Sequence, residues 1–179
     1  MQPETLATLT RPPVATDLFR EAMSRLGAPV TLVTTDGPAG RQGLTVSAIT
    51  SVSDAPPTVL VCLNRSNRSH ETFLQNGVVG ISILGSPHSE LAGAFASSKR
   101  SAAEKFAAGQ WRKGQTGAPL LADAVVALDC TISDIHASGS HDVLFCTIEA
   151  ITLHDAPEAG LAWFGRQFHH LPLLQNLTK

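Results

Sequence analysis

The chain has no tyrosine, few charges and no long apolar run, and each shortage narrows what it can be. Of its 179 residues only 16% are charged, 13 Lys and Arg against 15 Asp and Glu, for a net charge of −2. No basic run exceeds two residues, so no phosphate-neutralising stripe exists and nucleic acid is not an expected partner. No stretch approaches the ~20 apolar residues of a membrane span. The opening MQPETLATLTRPP carries acid and proline where a secretory signal needs a basic start and an apolar run. The three cysteines, Cys62, Cys130 and Cys146, include no CxxC pair, and an odd count points to reduced thiols. A soluble, cytoplasmic protein is expected, without a membrane partner.

The familiar chemical signatures are missing as well. The sequence holds no GxGxxG, no GxxxxGK[ST], no HExxH and no GxSxG, which removes the usual dinucleotide, nucleotide, zinc-protease and serine-hydrolase motifs. Its carboxylates are scattered, with no pair that local spacing brings together. His169-His170 invites a metal, but neighbours on a strand point oppositely and no further ligand lies at the right spacing, so no metal is expected. Any phosphate-bearing ligand has to be held by hydroxyls, amides and a few cations.

What is present suits one domain. Apolar residues make up 43% of the chain, enough to bury a core at this length. The low charge suggests that a second subunit covers part of the surface, as in a homodimer. A monomer with polar, uncharged loops is the alternative. Residues 1–15 read as a flexible arm, with Pro3, Pro12 and Pro13 blocking regular structure, and residues 16–179 as a single domain. Thr16 or Asp17 caps a helix whose apolar stripe is Leu18, Phe19, Ala22, Met23 and Leu26, and Gly27 ends it. Strand-like runs follow at 29–35, 43–53, 57–64 and 78–84, with a short helix over 69–76. Two long strands at about 124–136 and 143–154 flank the turn Ala137–Asp142. Short connections and few helices predict a mainly β chain with peripheral helices, built as an antiparallel barrel or sandwich. The βαβ alternation of a Rossmann enzyme is not seen.

Three segments offer binding chemistry. Strand alternation over 43–53 puts Thr45, Ser47, Ser51 and Ser53 on one face, with Val46, Ala48 and Val52 on the other. Such a row lets a flat ring approach the backbone, although serines facing water explain it equally. In 62–72, Asn64, Ser66, Ser69 and Thr72 with Arg65 and Arg68 suit a phosphate near a helix start, or simple capping. Ser97, Ser98, Lys99 and Arg100 form a second candidate anion loop, or a solvated turn. His141 sits beside Gly139, where close approach to a ligand is possible, or is an ordinary surface histidine. Trp163, Phe164 and Phe168 with Arg166 read as a docking segment or core edge.

Taken in order, these pieces resemble the flavin reductase family with the FMN-binding split barrel. They are most similar to reductase components of two-component aromatic (phenol, chlorophenol, hydroxyphenylacetate) monooxygenases. The matching stretches are Gly43–Ala48 with Ser51–Ser53 and Pro56-Pro57, Val61–Asn64, Glu104–Phe106, Gly139–Phe145 and Leu161–His169. The resemblance implies a homodimer of antiparallel split β-barrels that uses NADH to reduce FAD or FMN for a separate oxygenase. It implies that Thr45, Val46, Ser47 and Ala48 line the isoalloxazine, with Gly43, Leu44 and Cys62 also in the cofactor-binding set. Leu63 and Asn64 would meet the ring edge and ribityl chain. Ser69, Ser98, Lys99 and Arg100 would lie near the phosphate. Phe164 and Arg166 complete the cofactor set, and His141 is implied as the catalytic residue on the nicotinamide side. Ser140 stands where the family's motif has aspartate, leaving open what orients His141. Other acceptors known in the family are a corrin cobalt and the flavin of a pyrimidine-ring oxygenase. A non-catalytic flavin carrier is the rival class, with haem binding or pyridoxamine-phosphate oxidation on the same barrel behind it.

Overall fold

The computed structural model describes residues 12–155 and 159–172. Most of the expected arm, residues 1–11, lies outside them. In chain order the elements are α1 (Thr16–Ser24), β1 (Ala28–Pro29), β2 (Thr31–Thr35), β3 (Gln42–Val46), β4 (Ile49–Asp54) and β5 (Pro57–Asn64). Then come α2 (His70–Asn76), β6 (Val78–Ile83), α3 (Ser89–Ala96), α4 (Ala102–Phe106), β7 (Trp111–Lys113) and β8 (Pro119–Leu121). The chain closes with β9 (Val126–Ser138), β10 (His141–Leu153), β11 (Ala159–Phe164) and β12 (Gln167–Pro172). A short 3-10 turn at Ser86–His88 leads into α3.

Seven strands form one antiparallel sheet in the order β3-β2-β6-β9-β10-β5-β4. Its two edge strands are consecutive in the chain, separated only by Ser47 and Ala48. A link that short brings the two edges together, so the sheet must curl into a barrel that stays unpaired along one seam. The expected continuous strand over 43–53 is therefore two strands at opposite edges. Strand alternation could not reveal this, because both halves carry the same period. The long hairpin is tighter than expected: β9 and β10 are joined by Gly139 and Ser140 alone, with Gly139 at φ 55°, as a two-residue turn requires. His141 is consequently the first residue of a strand, not part of a loop.

All five residues of β2 are buried, and alternation sends them to two cores. Val33 joins Val61, Leu63, Phe73, Val79, Ile81 and Leu144 in the barrel interior. Leu32 joins Leu84, Leu91, Phe95, Phe106, Leu120 and Leu161 outside it, beneath α3, α4, the β7–β8 ribbon and β11. Burying each such side chain contributes about 1.5–3 kcal/mol as an upper bound. The sheet β1-β11-β12 is attached to the barrel through Val30, Leu84 and Leu161. Leu161 Oxygen accepts from the Val30 N–H at 3.0 Å, and the Leu84 N–H donates to the Val30 carbonyl at 3.0 Å.

The first helix departs from expectation. Ala15, not Thr16 or Asp17, is its N-cap, without a side-chain cap, and no residue of the helix is buried. Leu18, Phe19 and Met23 stay largely exposed, so the apolar stripe exists but is left uncovered among the described residues.

Candidate functional site

The seam between β3 and β4 opens on two adjoining cavities. The larger holds about 380 Å³ and is lined by Leu44 and Thr45 of β3, Asn64–Ser69 save Arg65, and Phe95–Ser98 with Lys105. The smaller, about 190 Å³, is walled by Val30, Thr45, Val46, Ser47, Ala96, Trp163 and Phe168. Thr45 and Ala96 line both, so the two form one groove.

The two ends differ in chemistry. At the larger, Asn64 Oδ1 accepts from the Ser66 N–H and hydroxyl, each at 2.8 Å, and Asn67 Oδ1 accepts from the Ser69 N–H at 2.9 Å. These local bonds fold the loop into successive Asx turns. Two cations and no carboxylate line this cavity. Arg68 donates to the Arg100 carbonyl, which ties the loop to the segment after α3. Lys105 is 4% exposed and donates to the Gly43 carbonyl at 3.1 Å and the Phe95 carbonyl at 3.0 Å, leaving the third of its donors for the cavity. Burial, and secondarily the charge of Arg68, pulls its ammonium below the ordinary lysine value. An anion at this end would oppose both effects.

The smaller end is mostly apolar. Trp163 and Phe168 face each other across β11 and β12, ring centroids 5.0 Å apart. The chain between β3 and β4 passes through Ser47, which lines the same cavity, and Ala48, both outside the strand registers. A groove with an electropositive, hydroxyl-rich end and an aromatic end fits a flat heteroaromatic ring bearing a phosphate, as flavin mononucleotide does.

His141 stands at the start of β10, paired with Asn64 of β5, so both side chains lie on the same face. Its Nδ1 shares a hydrogen bond of 2.9 Å with the Ser140 hydroxyl. The residue replacing the family's aspartate is thus the one that orients the ring. Asp142 points the other way, to Arg65 and His70. The Arg65 hydrogen bond first, with His70 adding to it against the effect of burial, holds this carboxyl below the usual aspartate range.

Several residues expected at the site make other contacts, whether or not they line the groove. Gly43 is buried, its open Cα face against Phe95, and the Thr45 hydroxyl donates to the Ala92 carbonyl at 2.6 Å. Leu63 is a core residue, because the phase of β5 turns it inward, while Cys62 is half-buried on the outer face. The Ser69 hydroxyl donates to Gln42 Oε1 at 3.1 Å. Of the anion loop, Ser98 lines the cavity but Lys99 and Arg100 do not. Phe164 lines a separate apolar groove with Pro29 and Leu171, since one step along β11 reverses its direction relative to Trp163. Arg166 pairs with Glu21 of α1 at 3.0 Å. Lys105, Trp163 and Phe168 line the two cavities, which Lys99 and Phe164 do not. All three stood in the quoted stretches, and burial and strand phase, which single them out, are properties of the fold.

Comparison with known proteins agrees with this geometry. Residues 23–172 match the family model described as the flavin reductase like domain. The FMN reductase (NADH) RutF of Pseudomonas syringae pv. syringae is 48% identical over 154 residues, spanning 86% of this chain and 85% of that one. A solved structure described as a flavin reductase from Haemophilus somnus superposes with a TM-score of 0.85 at 39% identity, covering 88% of this chain and all of that one. BorF, the flavin reductase component of a bacterial two-component tryptophan halogenase, gives 0.82 at 28% identity, over 88% and 99% of the two chains. With its seam, its two-ended groove and a family match across most of its length, the chain belongs to the flavin reductase like family.

Proposed function

We propose that residues 16–179 form an NADH-dependent FMN reductase, acting in the cytoplasm as a homodimer, that supplies reduced flavin to a separate oxygenase. The observation that carries this reading is the single groove shared by Thr45 and Ala96, with Lys105 and Arg68 at one end and Trp163 and Phe168 at the other. FMN bound there supplies the acceptor for the hydride of NADH. The chain's own residues need no nucleophile or strong acid, which accords with the missing motifs. Lys105, Arg68 and the serines would hold the phosphate, and Trp163 and Phe168 would pack against the ring, whose chemistry when bound is to accept a hydride. Backbone N–H groups of the link at 47 and 48 would be available to a polar ring edge, where such donors stabilise negative charge. His141, oriented by Ser140, contacts the nicotinamide.

A relative at 48% identity is an FMN reductase, which favours FMN over FAD. Among acceptors, the flavin of a pyrimidine-ring oxygenase is preferred to an aromatic monooxygenase. RutF proteins stand at 48–49% identity, whereas the flavin reductase of a styrene monooxygenase stands at 26% and that of a tryptophan halogenase at 28%. The dimer is supported by α1, whose apolar face is uncovered among the described residues, and by the apolar groove of about 630 Å³ that Phe164 and Leu171 line.

Anaerobic mixing with FMN and NADH should bleach the flavin's visible band catalytically. A protein that binds FMN without turnover would instead be a carrier, and the reading would fail. His141→Ala should raise the KM for NADH several-fold while changing FMN affinity little; the opposite pattern would remove His141 from the nicotinamide side. A monomer in analytical ultracentrifugation would refute the dimer alone.

A further inference from the structure

We propose that Asp142 is a positioning residue that clasps both ends of the phosphate-facing loop and sets it against His141. This rests on the larger cavity being the phosphate end of an FMN site. Asp142 follows His141 in β10 and is 7% exposed. Alternation turns it to the opposite face, toward the loop that leaves β5. Its Oδ1 accepts from Arg65 Nε at 2.7 Å and lies 2.6 Å from Arg65 Nη2. Its Oδ2 lies 2.8 Å from His70 Nε2, which must donate, because an ionised carboxylate only accepts.

Arg65 and His70 immediately flank residues 66–69, and Ser66, Asn67, Arg68 and Ser69 all line the cavity. One carboxylate thus fixes the start and the end of the segment. A further bond ties the same segment to the nicotinamide side: the Arg65 N–H donates to the Ser140 carbonyl at 3.0 Å, and Ser140 holds His141. The 77 and 72 residues that separate Asp142 from its partners make this a long-range tie rather than local turn chemistry. The Asp142 carboxylate is buried but the Arg65 side chain is 42% exposed, so the pair adds modest stability and acts chiefly by holding the loop in one geometry. Loss of the carboxylate therefore loosens the loop more than it weakens the barrel.

The test uses FMN and riboflavin, which differ only by the phosphate, titrated into the full chain and into Asp142→Asn and Arg65→Ala. The unsubstituted chain should prefer FMN. Both substituted chains should lose FMN affinity about tenfold, with riboflavin affinity kept within about twofold. Arg65→Lys, which keeps a charged donor toward Oδ1, should restore part of the preference. A preference that persists unchanged in Asp142→Asn and Arg65→Ala would overturn the clasp alone, as would an equal loss for both flavins. Equal binding of both flavins by the unsubstituted chain would overturn the phosphate placement itself, and the clasp with it.

Discussion

Gly43→Ala tests the packing that shapes the groove. A Cβ at position 43 would lie 2.6 Å from Phe95 Cε1, 3.0 Å from Cδ1 and 3.3 Å from Phe106 Cζ. Carbon atoms in contact sit at about 3.5–4.0 Å, so the Phe95 ring must retreat by about 1 Å. It has little room: Phe95 is 1% exposed, with Phe106 at 5.2 Å and Trp111 at 5.4 Å between ring centroids. The strand cannot yield instead, because β3 is paired to β2 and the Gly43 carbonyl is bonded by Lys105. Overpacking of this kind costs about 1–3 kcal/mol, or a fall in Tm of about 2–12 °C for a chain of this size. Circular dichroism melts of Gly43→Ala, Phe95→Leu and the double variant complete the test. Phe95→Leu removes the clashing ring edge, so the double variant should be less destabilised than the two single changes combined, by at least about 1 kcal/mol. Additive losses, or a Gly43→Ala melt within about 1 °C of the parent, would refute the reasoning.

Trp163→Ala should weaken FMN binding about tenfold, whereas Phe164→Ala should change it less than about twofold; fluorescence titration giving the reverse order would put the other face of β11 in the groove. Burial pushes the Cys146 thiol up to about 12 and the Cys130 thiol higher still, and both are fully buried. A maleimide at neutral pH should therefore label Cys62 alone in the folded chain, and mass spectrometry showing two or three adducts would contradict the core packing. The Asp142 carboxyl is held below its unfolded value by Arg65 and His70. Its stabilising effect is accordingly present above the unfolded carboxylate pKa of about 3.9 and lost as pH falls through the lower folded value. The difference in melting temperature between the parent and Asp142→Asn should shrink below about pH 4; a gap unchanged at pH 3 would show that the carboxylate's bonds contribute nothing.

The strands were largely legible because alternation of apolar and polar residues is a local property. The runs at 57–64 and 78–84 correspond to β5 and β6 within one residue. The antiparallel class followed from the short connections. Strand phase at the groove was not legible, since one residue separates Trp163 from Phe164 and both are aromatic. The break at Ser47 and Ala48 was hidden for a different reason: closure of the seam depends on β6, β9 and β10 filling the space between β2 and β5. Asp142 was invisible as a functional residue because Arg65 and His70 lie more than seventy positions away. Lys105 stood within a quoted motif, but its value comes from burial beside Gly43 and Phe95, which no spacing rule reports.

The strand order also bears on how the molecule is made. β5 finds its inner neighbour only in β10, and β6 finds its own only in β9. On the ribosome, β3-β2-β6 and β4-β5 therefore emerge as two separate sheets, with β6 and β5 each unpaired on the inner side, and the barrel cannot join until residues 126–153 have followed. Closure comes late and all at once, delivered by a single hairpin. Until then the nascent chain offers unpaired, apolar strand edges to any neighbour, the condition under which β proteins aggregate. A chain interrupted before residue 126 should collect in the insoluble fraction rather than persist as half a barrel.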